Sequence, residues 1–222
     1  MQNQEPIAVV DYGGGNVANA LNALQHEGAH AVLTADHDII RRASGVVLPG
    51  VGATADVMGG LVTRGLVPVI REVIARGTTP FLGICVGEQV LLERSEEGDP
   101  HDCFGIVPGS VRRLPEGIVV PHMGWNAVAQ AQQHPLWDGI ADGTPFYFVH
   151  SYYAALTDHA WALGETAYGV VFPSAVAQGN VMGTQFHPEK SGTAGLRFMR
   201  NFMRIVSGEL ILPAALMPAA VA

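Results

Sequence analysis

The sequence predicts an α/β fold with a mostly parallel central sheet flanked by helices, and with antiparallel strands added in the second half. In the first half, short apolar runs alternate with amphipathic stretches of helical period. This alternation is the pattern of β-α-β units joined by right-handed crossovers. Between residues 104 and 183, short β-like runs are separated by glycine and proline instead, as is typical of antiparallel strands and hairpins.

The first half supplies four strands and two helices. Strands are predicted at 7–10, 30–34, 45–50 and 80–84. A first helix follows, within 16–28, because Val17, Ala20, Leu21 and Leu24 share one helical face and Gly28 provides a stop. The segment 66–77 predicts a second helix, with proline near its first turn and glycine beyond its end, where these residues are favoured.

The second half supplies the β-like runs GSVRRL, NAVAQ, PFYFVHSYYAAL, AYGVVF and NVMGTQF. We expect them to extend the sheet or to stand beside it. A final helix is predicted from about residue 193, with Leu196, Met199, Met203 and Val206 spaced for burial on one face.

Composition indicates a globular protein. Hydrophobic residues make up 48% of the chain and charged residues 14%, and the formal net charge of −8 comes without any basic run. This argues against nucleic acid or an anionic membrane as the main partner. The N-terminus lacks the features of a signal peptide, and the apolar tail 210–222 is too short to span a bilayer. We therefore expect a cytoplasmic protein with free thiols and, in the absence of any linker, one domain over residues 1–222.

The stretch GICVG, residues 83–87, places Cys85 between two glycines where an apolar strand becomes a helix. Glycine-x-nucleophile-x-glycine is the elbow pattern of hydrolases. The turn exposes the side chain, the glycines let neighbouring backbone approach, and the helix start favours a thiolate. The N–H of Val86 can then face an oxyanion. By itself the pattern fits a small buried cysteine at a strand end equally well.

The stretch QFHPEK, residues 185–190, supplies the base that a thiol nucleophile needs. In an extended segment His187 and Glu189 project from the same face, so the carboxylate can orient the imidazole. Cys85 and His187 are far apart in the chain. Only a fold that presents the carboxyl ends of both strands to one crevice brings them together.

Taken together, the motifs resemble the class I, triad-type glutamine amidotransferase family. The resemblance rests on DYGGGN, LPGVGA, GICVGEQ, SEEG, VPHMGWN, FYFVHSYY and GTQFHPEKS, in family order along nearly the whole chain. PHMGWN with FVHSYY resembles the glutaminase subunits of imidazole glycerol phosphate synthase. The resemblance implies that glutamine is hydrolysed to glutamate and ammonia through a cysteine thioester, without a cofactor or metal. It also implies a heterodimer with a cyclase (β/α)8-barrel subunit, which uses the ammonia to make imidazole glycerol phosphate and AICAR in histidine biosynthesis.

The resemblance also implies the site residues. The triad would be Cys85, His187 and Glu189. The oxyanion donors would be the N–H of Val86 and that of Val51 or Gly52. Glutamine would be held by Gln89, Glu97, Ser151 and Tyr152, with Glu97 suited to the α-ammonium. The partner interface would contain Asn16, Met123, Trp125 and Lys190, and Asn16 is also placed to cap the first helix.

Three residues depart from the family's usual pattern. Val86 stands for leucine, which matters little because only its backbone N–H would contact the oxyanion. Glu88 stands for methionine, and a carboxylate one turn from Cys85 would disfavour the thiolate. We therefore expect Glu88 to face outward or to pair with a base. Thr54 replaces an aromatic residue, which leaves the packing of its loop open.

Other interpretations remain. Gly13, Gly15 and Ala18, with Asp36 after the next strand, fit a dinucleotide-binding fingerprint. The chain is also compatible with the glutaminase of another triad amidotransferase, such as an anthranilate synthase or pyridoxal-phosphate synthase component. A catalytically silent regulatory subunit is a further alternative, and Glu88 is the feature that favours it. Trp125 could instead belong to the core of a hairpin.

The remaining histidines and the second cysteine predict no site. His26, His30, His37, His101, His134 and His159 have no metal-ligand spacing, so we expect surface or structural positions. We expect His150 to be a structural hydrogen-bonding residue, and we assign no role to Cys103.

Overall fold

The computed structural model describes residues 5–15 and 17–213, in which the central element is an eight-stranded sheet. The helices are α1 (Val17–His26), α2 (His37–Arg42), α3 (Thr54–Thr63), α4 (Leu66–Ala75), α5 (Val86–Gln89) and α6 (Gly192–Val206). The strands are β1 (Ile7–Val10), β2 (Ala31–Thr34), β3 (Gly45–Gly50), β4 (Phe81–Cys85), β5 (Leu92–Ser95), β6 (His101–Asp102), β7 (Val107–Arg113), β8 (His122–Ala127), β9 (Ala129–Gln130), β10 (Pro145–His150), β11 (Tyr152–Leu156), β12 (Ala162–Ala167), β13 (Val171–Gln178) and β14 (Val181–Thr184).

The main sheet has the strand order β2-β1-β3-β4-β14-β13-β12-β9. Its first five strands are parallel, and β13, β12 and β9 extend it in antiparallel fashion. Strands β8 and β10 form a separate antiparallel ribbon, and β11-β7-β5-β6 form a small second sheet. The predicted fold class is therefore confirmed, with antiparallel strands both added to the sheet and standing beside it.

The predicted elements of the first half are present, but two helices, α2 and α3, and two short strands, β5 and β6, were missed. Helix α2 has only six residues, and the glycine pair within α3 weakens its helical pattern. In the second half, the predicted run 126–130 is split between β8 and β9. The run 167–172 contains the turn between β12 and β13, where the Tyr168 amide donates to the Val170 carbonyl at 2.9 Å.

The buried face of α6 differs from the predicted one. Only Met199 of the predicted set is fully buried, while Leu196, Met203 and Val206 are half-buried at the margins. The face centres instead on the two phenylalanines, Phe198 and Phe202. Phe198 packs edge to face against the rings of Trp137 and Phe186, with centroids 5.4 and 5.5 Å away. Aromatic burial, which removes more surface per residue from water than aliphatic burial, sets the helix rotation.

The strand register brings three chain segments to one edge of the sheet. Gly50 at the end of β3 lies opposite Cys85 at the end of β4. On the other side of β4, Thr184 of β14 lies opposite Ile84. The segments that follow β3 and β14 therefore emerge on either side of Cys85, as the carboxyl ends of parallel strands do in other α/β folds.

Glycines allow the backbone after β4 to fold back onto β3. A Cβ added to Gly87 would lie 1.8 Å from the carbonyl oxygen of Leu48, a backbone atom. One added to Gly50 would lie 2.6 Å from the Gly87 nitrogen, and one added to Gly83 2.4 Å from the Gly87 carbonyl oxygen. No side chain fits between these segments, so α5 packs directly against the sheet.

None of the helices within the described ranges is long and apolar enough to cross a membrane. Asn16 and most of the apolar tail, residues 214–222, lie outside the described residues. The predictions for these residues therefore stay predictions.

Replacing Gly87 with alanine is expected to lower the free energy of unfolding by about 3 kcal/mol, the upper end of the usual overpacking cost, because the new Cβ meets fixed backbone. Urea denaturation measures this. The control is Gly59→Ala in α3, where an added Cβ meets nothing within 4 Å. There alanine should stabilise the helix by up to about 1 kcal/mol. Equal stabilities for the two variants would contradict the packing argument.

Candidate active site

Cys85 occupies a strained turn between β4 and α5. Its φ of 56° and ψ of −112° make it the only non-glycine residue with positive φ in the described segments. Such a conformation is costly for a side-chain-bearing residue and persists only where the surroundings enforce it. The predicted elbow is therefore present. The helix that follows has a single turn, so its free N–H groups, rather than a long helix dipole, lie beside the sulfur.

The structure brings the three residues of the predicted triad together. His187 Nδ1 lies 2.8 Å from Glu189 Oε1, and the imidazole and the Cys85 thiol line the same cleft. Residues Pro188–Lys190 form a 3₁₀ turn rather than the expected extended segment, yet the turn keeps Glu189 within reach. The second carboxylate oxygen, Oε2, is buried without a partner in the described part of the chain.

Electrostatics favour a charged imidazole at this position. Burial alone would lower the pKa of His187, but hydrogen bonds to Cys85 and Glu189, and the charges of both groups, raise it to about 9. A protonated imidazole beside the sulfur stabilises a thiolate. The three side chains can therefore form a thiolate–imidazolium pair with the carboxylate behind the ring.

Gln185, to which the sequence analysis gave no role, also contacts the thiol. Its Nε2 lies 3.6 Å from Cys85 Sγ, within reach for a hydrogen bond to sulfur. Its Oε1 accepts from Gln89 Nε2 at 2.8 Å, which in turn donates to the Tyr152 carbonyl at 2.9 Å. Strand register is the signal that could have identified Gln185, because this residue directly follows β14, next to the end of β4.

A cleft of about 260 Å³ opens over Cys85. The predicted residues that line it are Val51, Gly52, Cys85, Val86, Gln89, Glu97, Ser151, Tyr152, His187 and Lys190. Pro121, Val149 and His150 complete the lining. The structure thus brings the predicted oxyanion and glutamine residues together around the thiol, with Glu189 behind His187.

The amide of Val51 already has a partner. Its N–H donates to the hydroxyl oxygen of Tyr12 at 3.4 Å. Burial raises the pKa of Tyr12, an effect that the hydrogen bond from Val51 opposes, so this phenol stays neutral. Because an N–H donates fully to one acceptor, the Val51 amide has to leave Tyr12 before it can serve an oxyanion. The bond is long, so leaving it costs little.

Glu88 neither faces outward nor pairs with a base, so that expectation was wrong. Its side chain is 0% exposed, and neither carboxylate oxygen has a hydrogen-bond partner among the described residues. The one-turn helix is pressed against the sheet, so the methylenes of Glu88 run over Gly183 of β14. Burial raises the pKa of Glu88 well above its ordinary value. It is therefore a neutral acid that places no charge beside Cys85.

Thr54, whose packing the sequence left open, is fully buried at the start of α3. Its hydroxyl lies 2.7 Å from Ser95 Oγ and 3.1 Å from Glu97 Oε2. The start of α3 is thus packed through polar contacts of Thr54.

Of the predicted interface residues that the structure describes, Met123 and Trp125 are exposed and Lys190 is half-buried. Met123 and Trp125, on the same face of β8, are 62% and 57% exposed, so Trp125 is not a core residue. Trp125 lies opposite Tyr147 of β10, with ring centroids 6.2 Å apart. Lys190 lines the cleft, at the edge nearest the turn that follows His187.

His150 and Cys103 have structural surroundings. His150 Nε2 lies 2.9 Å from His122 Nδ1 and its Nδ1 lies 2.8 Å from the Tyr152 carbonyl oxygen, as expected for a structural residue, and burial lowers its pKa to about 4. Burial and the nearby charge of Asp102 raise the pKa of Cys103 to about 11. Within 5–15 and 17–213, no three His, Cys, Asp or Glu side chains are arranged to hold a metal.

The geometry argues against the dinucleotide interpretation. Asp36, the proposed ribose-binding acid, caps α2 by accepting from the amides of Asp38 and Ile39 at 2.8 and 3.0 Å. Its carboxylate is therefore committed to a helix start.

The fold and the Cys-His-Glu cleft together define a triad amidotransferase. A model of the family described as glutamine amidotransferase class-I matches residues 8–206, and the chain belongs to this family. It is 53% identical over 199 residues to the imidazole glycerol phosphate synthase subunit HisH of Herpetosiphon aurantiacus, covering 90% of this chain and 94% of the relative. The corresponding protein of Dehalococcoides mccartyi is 49% identical over 203 residues, covering 91% and 98%. The PurLQS structure from Thermotoga maritima has the same fold, with a TM-score of 0.73 at 20% identity, covering 91% of this chain and 100% of that one.

Replacing Glu88 with methionine is expected to stabilise the protein, and more so as pH rises. Below about pH 4 the carboxyl is protonated in both states. Above that pH the unfolded chain ionises while the folded protein keeps its proton, so the wild type loses stability with rising pH until the folded pKa is reached. We expect a gain of at least about 2 kcal/mol at pH 8 and a smaller one at pH 5.

The measurement is urea denaturation at both pH values. Glu88→Gln serves as the control, since it removes the titration but leaves an unpartnered polar group, and it should gain less than methionine. A methionine variant whose advantage is the same at pH 5 and pH 8 would show that Glu88 is ionised in the folded protein.

Proposed function

We propose that this chain is the glutaminase subunit of an imidazole glycerol phosphate synthase in histidine biosynthesis. It hydrolyses glutamine to glutamate and ammonia and delivers the ammonia to a cyclase subunit. The observation that carries the proposal is the strained Cys85, which shares one cleft with a His187 that is itself held by Glu189. The similarity to the HisH relatives over nine-tenths of the chain supports it.

The proposed reaction begins at the sulfur. The Cys85 thiolate attacks the carbon of the glutamine side-chain amide, and the His187 imidazolium gives its proton to the departing nitrogen, so that ammonia leaves and a thioester remains. His187, now neutral, takes a proton from water as the water attacks the thioester, and glutamate is released. Glu189 keeps the ring oriented and offsets its charge in both halves.

The tetrahedral intermediates of both steps carry an oxyanion that needs donors. We assign this role to the amides of Val86 and Gly52, which line the cleft beside Cys85, and to Val51 once its amide has left Tyr12. Gln89, Ser151 and Tyr152 line the same cleft at the glutamine end, and Glu97 is placed to receive the α-ammonium.

We propose that the cyclase, a (β/α)8 barrel, docks on the exposed face of the ribbon formed by β8 and β10. Met123 and Trp125 on this face are large exposed apolar side chains of the kind that anchor interfaces. Val149, opposite Met123, also lines the cleft. The proposed docking surface therefore borders the space in which ammonia forms, and Lys190 and Asn16 would complete it.

The docking ribbon is tied to the catalytic base through backbone contacts. The His187 amide donates to the Tyr147 carbonyl at 2.9 Å, and the Tyr147 amide donates to Ser191 Oγ at 2.9 Å. Tyr147 is the residue opposite Trp125 on the ribbon. A partner that moves this ribbon would therefore act on His187 without passing through a mobile side chain.

We further propose that residues 1–222 form one domain and that the heterodimer is cytoplasmic. In support, the antiparallel strands of the second half continue the sheet begun in the first half, through β14 and β13. Both cysteines are free thiols, which suits a reducing compartment.

Replacing Cys85 with alanine is expected to abolish glutamine hydrolysis while leaving partner binding intact, because the thioester cannot form. Glutamate release from glutamine measures it, with the pure chain alone and with the cyclase and its nucleotide ligand. Cys103→Ala, which removes the other thiol, is the matched control and should retain wild-type turnover. Glutamate release by the Cys85 variant near the wild-type rate would refute the nucleophile assignment.

Replacing Trp125 with alanine is expected to weaken cyclase binding by roughly thirtyfold, the loss of about 2 kcal/mol typical of a central aromatic anchor. Calorimetric titration of the two subunits measures this. Val62→Ala provides the control, because Val62 is similarly exposed, at 64%, but lies on α3. If both variants bind as the wild type does, the ribbon is not the docking surface.

A further inference from the structure

Thr54 holds one oxygen of the Glu97 carboxylate with two donors. The backbone amide of Thr54 lies 2.8 Å from Glu97 Oε2, and its hydroxyl lies 3.1 Å from the same oxygen. Thr54 is the first residue of α3, so its amide is one of the helix-start donors that have no partner within the helix. The carboxylate therefore satisfies this donor and lies at the positive end of a ten-residue helix.

The Thr54 hydroxyl is also hydrogen-bonded to the buried hydroxyl of Ser95. The Glu97 amide donates to Ser95 Oγ at 3.1 Å, and Ser95 Oγ lies 2.7 Å from Thr54 Oγ1. Since Ser95 accepts from this amide, its own proton can go to Thr54, which frees the proton of Thr54 for Glu97. Serine, threonine and glutamate thus close a ring that begins and ends at Glu97.

His101 also contacts the Thr54 hydroxyl. Its Nε2 lies 3.1 Å from Thr54 Oγ1, and its Nδ1 lies 2.9 Å from the Asp99 carbonyl oxygen, which fixes the ring. A carbonyl only accepts, so Nδ1 carries a proton. Thr54 Oγ1 therefore has three polar neighbours, which are Ser95, Glu97 and His101.

The other carboxylate oxygen of Glu97 remains available. Across the described ranges, no side chain or amide donates to Oε1, and Glu97 lines the cleft over Cys85. The carboxylate is therefore fixed by one oxygen and presents the other. This arrangement suits a cation that enters the cleft with one defined orientation.

We propose that Thr54 is a positioning residue for substrate recognition: its hydroxyl sets the Glu97 carboxylate for the α-ammonium of the amino-acid substrate. The inference rests on the proposed function, in which Glu97 receives that ammonium.

A pair of covalent probes tests the proposal without the partner subunit. The first is 2-amino-5-chloro-4-oxopentanoic acid, the chloroketone analogue of glutamine, whose CH2Cl carbon is attacked by the thiolate as chloride leaves. The second, 5-chloro-4-oxopentanoic acid, is identical but lacks the amino group. The ratio of their inactivation rate constants, followed by mass spectrometry of Cys85, reports recognition of the ammonium alone. Alkylation by iodoacetamide, which needs no amino-acid site, reports the state of the thiol.

We expect the wild-type chain to prefer the amino probe and Thr54→Val to lose about tenfold of that preference. A tenfold loss corresponds to about 1.4 kcal/mol of recognition, in the range of a hydrogen bond to a charged group. Valine keeps the shape and the backbone amide and removes only the hydroxyl. Thr54→Ser, which restores a hydroxyl, should recover the wild-type ratio.

Three outcomes distinguish a failure of the Thr54 proposal from a failure of the ammonium-binding role of Glu97. A wild-type chain that reacts equally with both probes would remove the ammonium role of Glu97, and the inference with it. A wild type that discriminates, together with a valine variant that discriminates equally well, would overturn the role of Thr54 alone. If valine loses the preference and serine does not restore it while iodoacetamide reacts as before, packing rather than the hydroxyl sets Glu97, and the proposal is again overturned.

Discussion

The arrangement of the whole site depends on the register of three parallel strands. Because β3, β4 and β14 end level with one another, their following segments meet at Cys85 although they come from distant parts of the sequence. A two-residue slip of β14 would move Gln185 and His187 by roughly 7 Å, far beyond hydrogen-bond reach. The backbone hydrogen bonds between these strands therefore fix the positions of the triad residues relative to one another.

Close backbone packing at Gly87 has one effect that serves the site and one that lowers the stability of the fold. It forces the chain into the turn that points the thiol into the cleft, and it presses α5 so tightly against the sheet that the side chain of Glu88 points inward. A carboxyl is an unfavourable choice there, since it remains without a hydrogen bond. Burial favours the protonated form of the Glu88 carboxyl. The carboxyl therefore lowers the stability of the fold but places no charge beside the thiol.

Sequence reasoning predicted the features that follow from local geometry: the first-half strands, the elbow at Cys85 and the adjacent pair His187 and Glu189. It missed features that depend on which segments meet. Gln185 contacts the thiol only because of inter-strand register, and Thr54 meets Glu97 across 43 residues of chain. The outward placement expected for Glu88 failed for a related reason, since a one-turn helix has too few residues to display an amphipathic pattern.

The burial of the thiols has a consequence for redox chemistry. Cys85 is 4% exposed at the floor of a narrow cleft, and Cys103 is 6% exposed. Disulfide exchange requires three sulfur atoms in line, which another protein cannot achieve at the bottom of such a cleft. The cleft leads to Cys85, so oxidation by a small peroxide that entered it would begin there as a sulfenic acid. The burial that shelters this thiol from cross-linking thus leaves its cleft side as the point at which a small oxidant would act.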